Sequence, residues 1–134
     1  MEANNVVRIP TSLNGNFFRY WFQFLEPFHN LTHREIDVAS EFLKYRWELS
    51  KVIKDEDLLD KIVMNSDTKK QIRERCNLTL QHFQIILGKL RKSKIIIDDK
   101  LNPRFIPFIK EDSNKFNLLF TFDLTDEPTS DSNK

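Results

Sequence analysis

The chain has 134 residues, enough to bury one domain's core without staples, and its 40% hydrophobic and 31% charged content is that of a globular protein. No apolar run approaches a membrane span, the opening "MEANNVVRIP" lacks the apolar stretch of a signal peptide, and the lone Cys76 rules out an intramolecular disulfide framework and suits a reducing, cytosolic setting. The net charge of +1 hides a split: positions 65 to 110 hold eleven bases against four acids and the remainder is acidic, so one side can attract a polyanion.

Residues 5–9, "NVVRI", read as a short strand that Pro10 ends or pushes to an edge. "SLNGNFFRYWFQFLEPF" predicts a helix from about Asn14 to Glu26, closed by Pro27. Its Phe17, Phe18, Tyr20, Trp21, Phe22, Phe24 and Leu25 span an arc of roughly 200°, whereas one face of a domain covers about 100°. Two explanations fit the surplus. A C-terminal strand with Phe116, Phe120 and Phe122 packs on the far side, or Phe18, Tyr20 and Phe22 meet a partner, either a second copy or another protein.

"LTHREIDVASEFLKYRWELS" is the clearest helix, with a capping box from Thr32 and Glu35 and a buried stripe of Ile36, Ala39, Phe42, Leu43 and Trp47. "DEDLLDKIVM" is a shorter helix with acids in its first turn, where they suit the helix dipole. "SDTKKQIRERC" follows, capped by Ser66 or Asp67, with Ile72 and Cys76 facing inward. Asn77 tolerates the left-handed conformation that a tight helix-helix turn needs, and Thr79 caps the next helix.

In "NLTLQHFQIILGKLRKSKIII" the residues Leu80, Phe83, Ile86, Leu87 and Leu90 form the inner stripe. The opposite side holds Gln81, His82, Ile85, Gly88, Lys89 and Lys92, with no acid, although a small change of helix phase turns Ile85 into the core. "IIIDDKLNPRF" reads as a short strand, an Asp-Asp-Lys turn and a second extended piece kept short or at an edge by Pro103 and Pro107. "FNLLFTFDL" alternates as a strand with Phe116, Leu118, Phe120, Phe122 and Leu124 on one face, and residues 125–134 form a polar tail.

The expected fold is therefore mainly α with a small antiparallel β part. The order of long helix, short acidic helix, short basic helix, tight turn, helix and hairpin is the layout of a winged helix-turn-helix. The helix-turn-helix spans about 66–93 and the wing about 95–107, within one domain over 1–124 that adds an aromatic N-terminal helix and a C-terminal strand. In such a fold the second helix enters the major groove and its N-terminal outward residues reach base edges. Gln81 can pair with adenine, His82 can hydrogen-bond, and Ile85 can touch a thymine methyl. Lys69, Lys70, Arg73, Lys89, Lys92 and Lys94 suit phosphates, and Lys100 and Arg104 extend that set to the wing. A basic helix face is more often merely solvated, and the same architecture also serves as a protein adaptor.

"LTHREIDVASEFL" resembles the opening helix of winged-helix regulators, and "ILGKLRKSKIII" resembles their recognition helix entering the wing, with Ser93-Lys94 standing where a Gly is usual. More closely, "FFRYWFQFLEPFHNLTHREIDVASEFLKYRWELS" and "LRKSKIIIDDKLNPRFIP" resemble small proteins of crAss-like phages of Bacteroidetes, over most of residues 6 to 107. That resemblance implies a phage protein working in the host cytoplasm or packaged in a virion. It implies no activity and no binding residues.

No catalytic constellation is present. Cys76 pairs in spacing with Ile72 as a core thiol, and a helix start separates His29 from His33, so they do not form a zinc pair. Glu41 and Lys44 end a nuclease-like pattern that lacks its upstream acid, and Gly15 and Gly88 make no phosphate loop. The expectation is a non-enzyme with no cofactor and no metal. Its expected partner is double-stranded DNA, with a homodimer favoured because paired winged helices double the phosphate contacts and suit a palindromic site. The alternative is a virion or assembly protein that uses the same fold as an adaptor for other phage virion proteins. No membrane association is expected.

Overall fold

The computed structural model describes residues 5–126. In chain order these form α1 (Phe17–Phe24), α2 (Glu26–His29), α3 (His33–Ser50), α4 (Glu56–Val63), α5 (Ser66–Arg75), α6 (Leu80–Lys92), the strands β1 (Ile96–Ile97) and β2 (Lys100–Leu101), and a 3-10 turn η1 (Pro103–Phe105). The chain is mainly helical with one small antiparallel sheet, in which Ile96 pairs with Leu101 and Ile97 with Lys100.

α3 is the axis of the fold, because α1, α4, α5 and α6 all pack on it. Its start is set locally: Thr32 accepts from the Glu35 amide at 3.4 Å while the Glu35 carboxylate accepts from the Thr32 amide at 3.0 Å. Ile36, Val38, Ala39, Phe42 and Leu43 are buried, and Phe42 stacks on Phe83 of α6 with ring centroids 6.5 Å apart. Asp55 caps α4 by accepting from the amides of Asp57 and Leu58, and an Arg46–Asp60 ion pair at 3.2 Å ties α4 to α3.

The N-terminal aromatic run divides differently from the sequence reading. Phe18, Trp21 and Phe22 are all buried, with Phe22 fully enclosed, while Tyr20 is half-buried. Phe18 and Phe22 are therefore core residues of this domain and not a partner interface, because the α1 face that carries them lies on α3. Pro27 does not close the first helix either. It sits in the first turn of α2, where its missing N–H leaves no bond unmade, and the left-handed Asn30 ends that helix.

Two expected strands are absent. Residues 5–9 and 116–124 carry no regular secondary structure, and most of their side chains are exposed. An alternating pattern supplies a face but no hydrogen-bonding edge, and neither segment pairs with the hairpin or with the other. Of the C-terminal aromatics only Phe116 is covered, edge-on to Phe17 at 5.2 Å and Trp21 at 5.6 Å. Beyond Asp126 the polar tail lies outside the described residues.

Candidate functional site

The candidate surface is the outer side of α6, and the residues before it set its position. Asn65, one residue earlier than expected, caps α5 by accepting from the Thr68 amide at 2.8 Å, while the buried Thr68 hydroxyl donates to the Ile62 carbonyl at 2.7 Å. At the other end Asn77 adopts the left-handed conformation (φ 58°). The Asn77 amide then bonds the Glu74 carbonyl and the Leu78 amide the Arg73 carbonyl, a Schellman closure that satisfies the last turn of α5. Arg34 on α3 donates to the Cys76 carbonyl at 2.8 Å, fixing this turn against the long helix.

Thr79 caps α6 by accepting from the His82 amide at 3.1 Å. Phe83, Ile86, Leu87 and Leu90 are buried as the period demands. Leu80 is not: it is 60% exposed, because side chains lean toward the helix N-terminus and this first residue leans beyond the packed face. Ile85 is 57% exposed, so the helix phase places it outward with Gln81, His82, Gly88, Lys89 and Lys92. These six residues fall within an arc of roughly 120° on one side of the helix. Exposed Gln84 borders them, and α6 has no acidic residue. A Cβ added at Gly88 would meet no atom within 4 Å, so packing does not require the glycine.

α6 also ends in a Schellman closure, with the left-handed Lys94 (φ 68°) in the glycine position and the Ile95 amide bonded to the Leu90 carbonyl at 2.9 Å. Asp98 and Asp99 both have positive φ (55° and 58°), the requirement of a type I′ turn for a two-residue hairpin loop. The tip of the hairpin is therefore acidic.

The phosphate candidates come from separate elements. Lys70, Lys89, Lys92 and Lys94 are exposed, and Lys69 and Lys100 are half-buried. Arg73 is also half-buried, and its guanidinium donates to the Leu78 carbonyl at 3.3 Å, which makes it a brace of the α5–α6 turn. Arg104 lies exposed on η1, whose amide is capped by Asn102 at 3.1 Å.

A cleft of about 370 Å³ between α1, α3 and the end of α5 gathers Arg19, Arg34, Asp37, Glu41, Lys44 and Arg75. Its charges answer one another: Asp37 takes both Arg19 and Arg34, Glu41 takes Arg75 at 3.6 Å, and Lys44 donates to the Asn14 carbonyl at 2.8 Å. Of the nuclease-like pattern, Glu41 is thereby occupied as a tie between α3 and α5, and Lys44 as a tie from α3 to the turn before α1. Burial, with Glu41 nearby, pushes the Cys76 thiol up to about 11, so at neutral pH it is an unreactive core thiol.

Sequence reasoning missed the role of His29. It is buried, its Nε2 lies 2.7 Å from the Phe22 carbonyl, and the Leu31 amide donates to Nδ1 at 2.9 Å. The signal available was only its place in an apolar run. Among the described residues no cluster of three or more His, Cys, Asp or Glu could hold a metal ion, and no helix is long and apolar enough to cross a membrane. Comparison with protein-family models, with curated proteins and with solved structures finds no match to this chain.

Proposed function

We propose that this chain is a winged-helix protein that binds double-stranded DNA with sequence selectivity, acting in phage transcription or replication in the host cytoplasm. The observation that carries the reading is the acid-free outer side of α6, where Gln81, His82 and Ile85 stand exposed next to Gly88, Lys89 and Lys92. A helix of this kind fits the major groove with its N-terminal half toward base edges. Lys70, Lys89, Lys92 and Lys94 are the phosphate ligands in this reading. The hairpin tip contributes none, since Asp98 and Asp99 repel phosphates, and half-buried Lys100 has less reach than a surface lysine.

Fluorescence anisotropy with a mixed-sequence duplex across salt concentrations tests the proposal. With roughly four to six phosphate contacts, log K falls with log salt at a slope near −4 to −5. Absence of binding at low salt removes the DNA reading. It would leave the second one, a virion or assembly adaptor, which is favoured by the exposure of Phe24 and Phe28 beside the buried aromatic face of α1.

A further inference from the structure

The segment from Phe116 to Leu124 has the composition of a buried strand and the environment of a surface loop. Phe116 is held between Phe17 and Trp21, and exposure rises along the rest of its face: Leu118 39%, Phe120 42%, Phe122 83% and Leu124 95%. Apolar surface left open in this way marks an interaction site. The domain supplies no cover, since neither edge of the hairpin pairs with the segment. Residues 5–9, which also lack regular structure, offer only Val6, Val7 and Ile9 and are followed directly by Pro10, which lacks a donor.

We infer that residues 116–124 form an antiparallel two-stranded ribbon with the same residues of a second copy, centred on Phe120. The segment is self-complementary in that register. Phe120 faces Phe120 across the two-fold axis, Phe116 faces Leu124, and Leu118 faces Phe122, so every apolar residue of the segment except Leu119 lies on one side of the ribbon. On the other side Asn117 faces Asp123 and Leu119 faces Thr121. Lys115 of each copy lies diagonal to Asp123 of the other, an attractive cross-strand pair. Parallel in-register pairing is disfavoured because it sets Asp123 against Asp123 and Lys115 against Lys115. Each strand stays attached to its own domain through Phe116. The inference rests on the uncovered segment alone and does not depend on DNA binding.

Light scattering of the full chain across the micromolar range tests it. The wild type should dimerise, and a Phe120→Asp, Phe122→Asp variant should dissociate with a constant on the order of 100-fold weaker, because it removes buried apolar surface and introduces facing charges. Its thermal melt extrapolated to low concentration should match the wild type, since both side chains lie outside the core cluster. Register is read by cysteine placement. Phe120→Cys should oxidise to a disulfide-linked dimer, whereas Thr125→Cys, about 30 Å from its counterpart in this pairing, should not. Buried Cys76 does not compete in the native state.

A wild-type monomer at every concentration overturns the inference. If that monomer protects the amides of 116–124 from hydrogen exchange, the strand is paired within its own chain. A dimer that survives the double aspartate variant overturns it too, as does a Thr125→Cys variant that cross-links as readily as Phe120→Cys.

Discussion

The indole N–H of Trp21 donates to the carbonyl of Phe105 at 2.8 Å, a buried bond between residues 84 positions apart. It fastens α1 to the turn that follows the hairpin. Trp21→Phe leaves that carbonyl buried without its donor and removes part of a packed ring. The expected loss is about 2–3 kcal/mol of unfolding free energy. Urea denaturation checks it, and a change under about 0.5 kcal/mol would mean that water replaces the indole.

His29 gives the domain a pH dependence of definite sign. The Leu31 amide can only donate, so Nδ1 must be the bare nitrogen, and Nε2–H then donates to Phe22. The ring is thus neutral in the fold. Burial holds its pKa below the ordinary 6.5, outweighing the opposite pull of the Phe22 carbonyl and Glu26. Above pH 6.5 this preference contributes its full stability. As pH falls from there toward the folded-state pKa, the unfolded chain binds a proton that the native chain does not. Stability should therefore decline by up to about 1.4 kcal/mol per pH unit, and level off below the folded-state pKa. Melts between neutral pH and pH 5 should show this slope, and His29→Gln should abolish it while lowering stability overall. An unchanged slope in the variant would assign the effect to other groups.

Gly88 and Lys94 separate stability from binding. Gly88→Ala adds a methyl that meets nothing within 4 Å in an exposed helix interior, so it should stabilise by about 0.5–1 kcal/mol. Lys94→Gly relieves a left-handed residue at φ 68° and should stabilise by about 1 kcal/mol. Under the DNA reading both variants melt higher yet bind more weakly, the first by holding the helix off the groove and the second by losing a phosphate contact. Unchanged duplex affinity in both would remove this face from the proposal.

Readout and positioning should separate in the same way. Gln81→Ala is expected to weaken a preferred site by roughly 1–3 kcal/mol and to relax its sequence preference. Lys70→Ala should weaken all duplexes alike and make the salt slope shallower by about one contact. Anisotropy with a selected site and a scrambled one compares them, and identical behaviour of the two variants would mean that α6 reads no bases.

The features legible in the sequence are those decided within a few residues. The Thr32–Glu35 capping box, the Thr79 cap and the left-handed Asn77 each follow from a short side chain reaching a nearby amide or tolerating positive φ, and a turn at Asp-Asp-Lys was legible too, although its loop is only Asp98-Asp99 and Lys100 opens β2. The outward group on α6 was legible for the same reason, since a period of 3.6 residues sorts one helix into two sides. The sequence by itself thus determined the helices from Thr32 to Lys92, the hairpin and the composition of that outer side. Periodicity states which residues share a face and is silent on what the face meets. Only the tertiary structure decided that Phe18 and Phe22 lie against α3, that Leu80 overhangs the packed surface, and that the short segment at 5–9 and the alternating one at 116–124 find no edge to pair with. The same holds for His29 and Trp21, because a buried ring is placed by backbone carbonyls and amides whose positions the fold alone supplies.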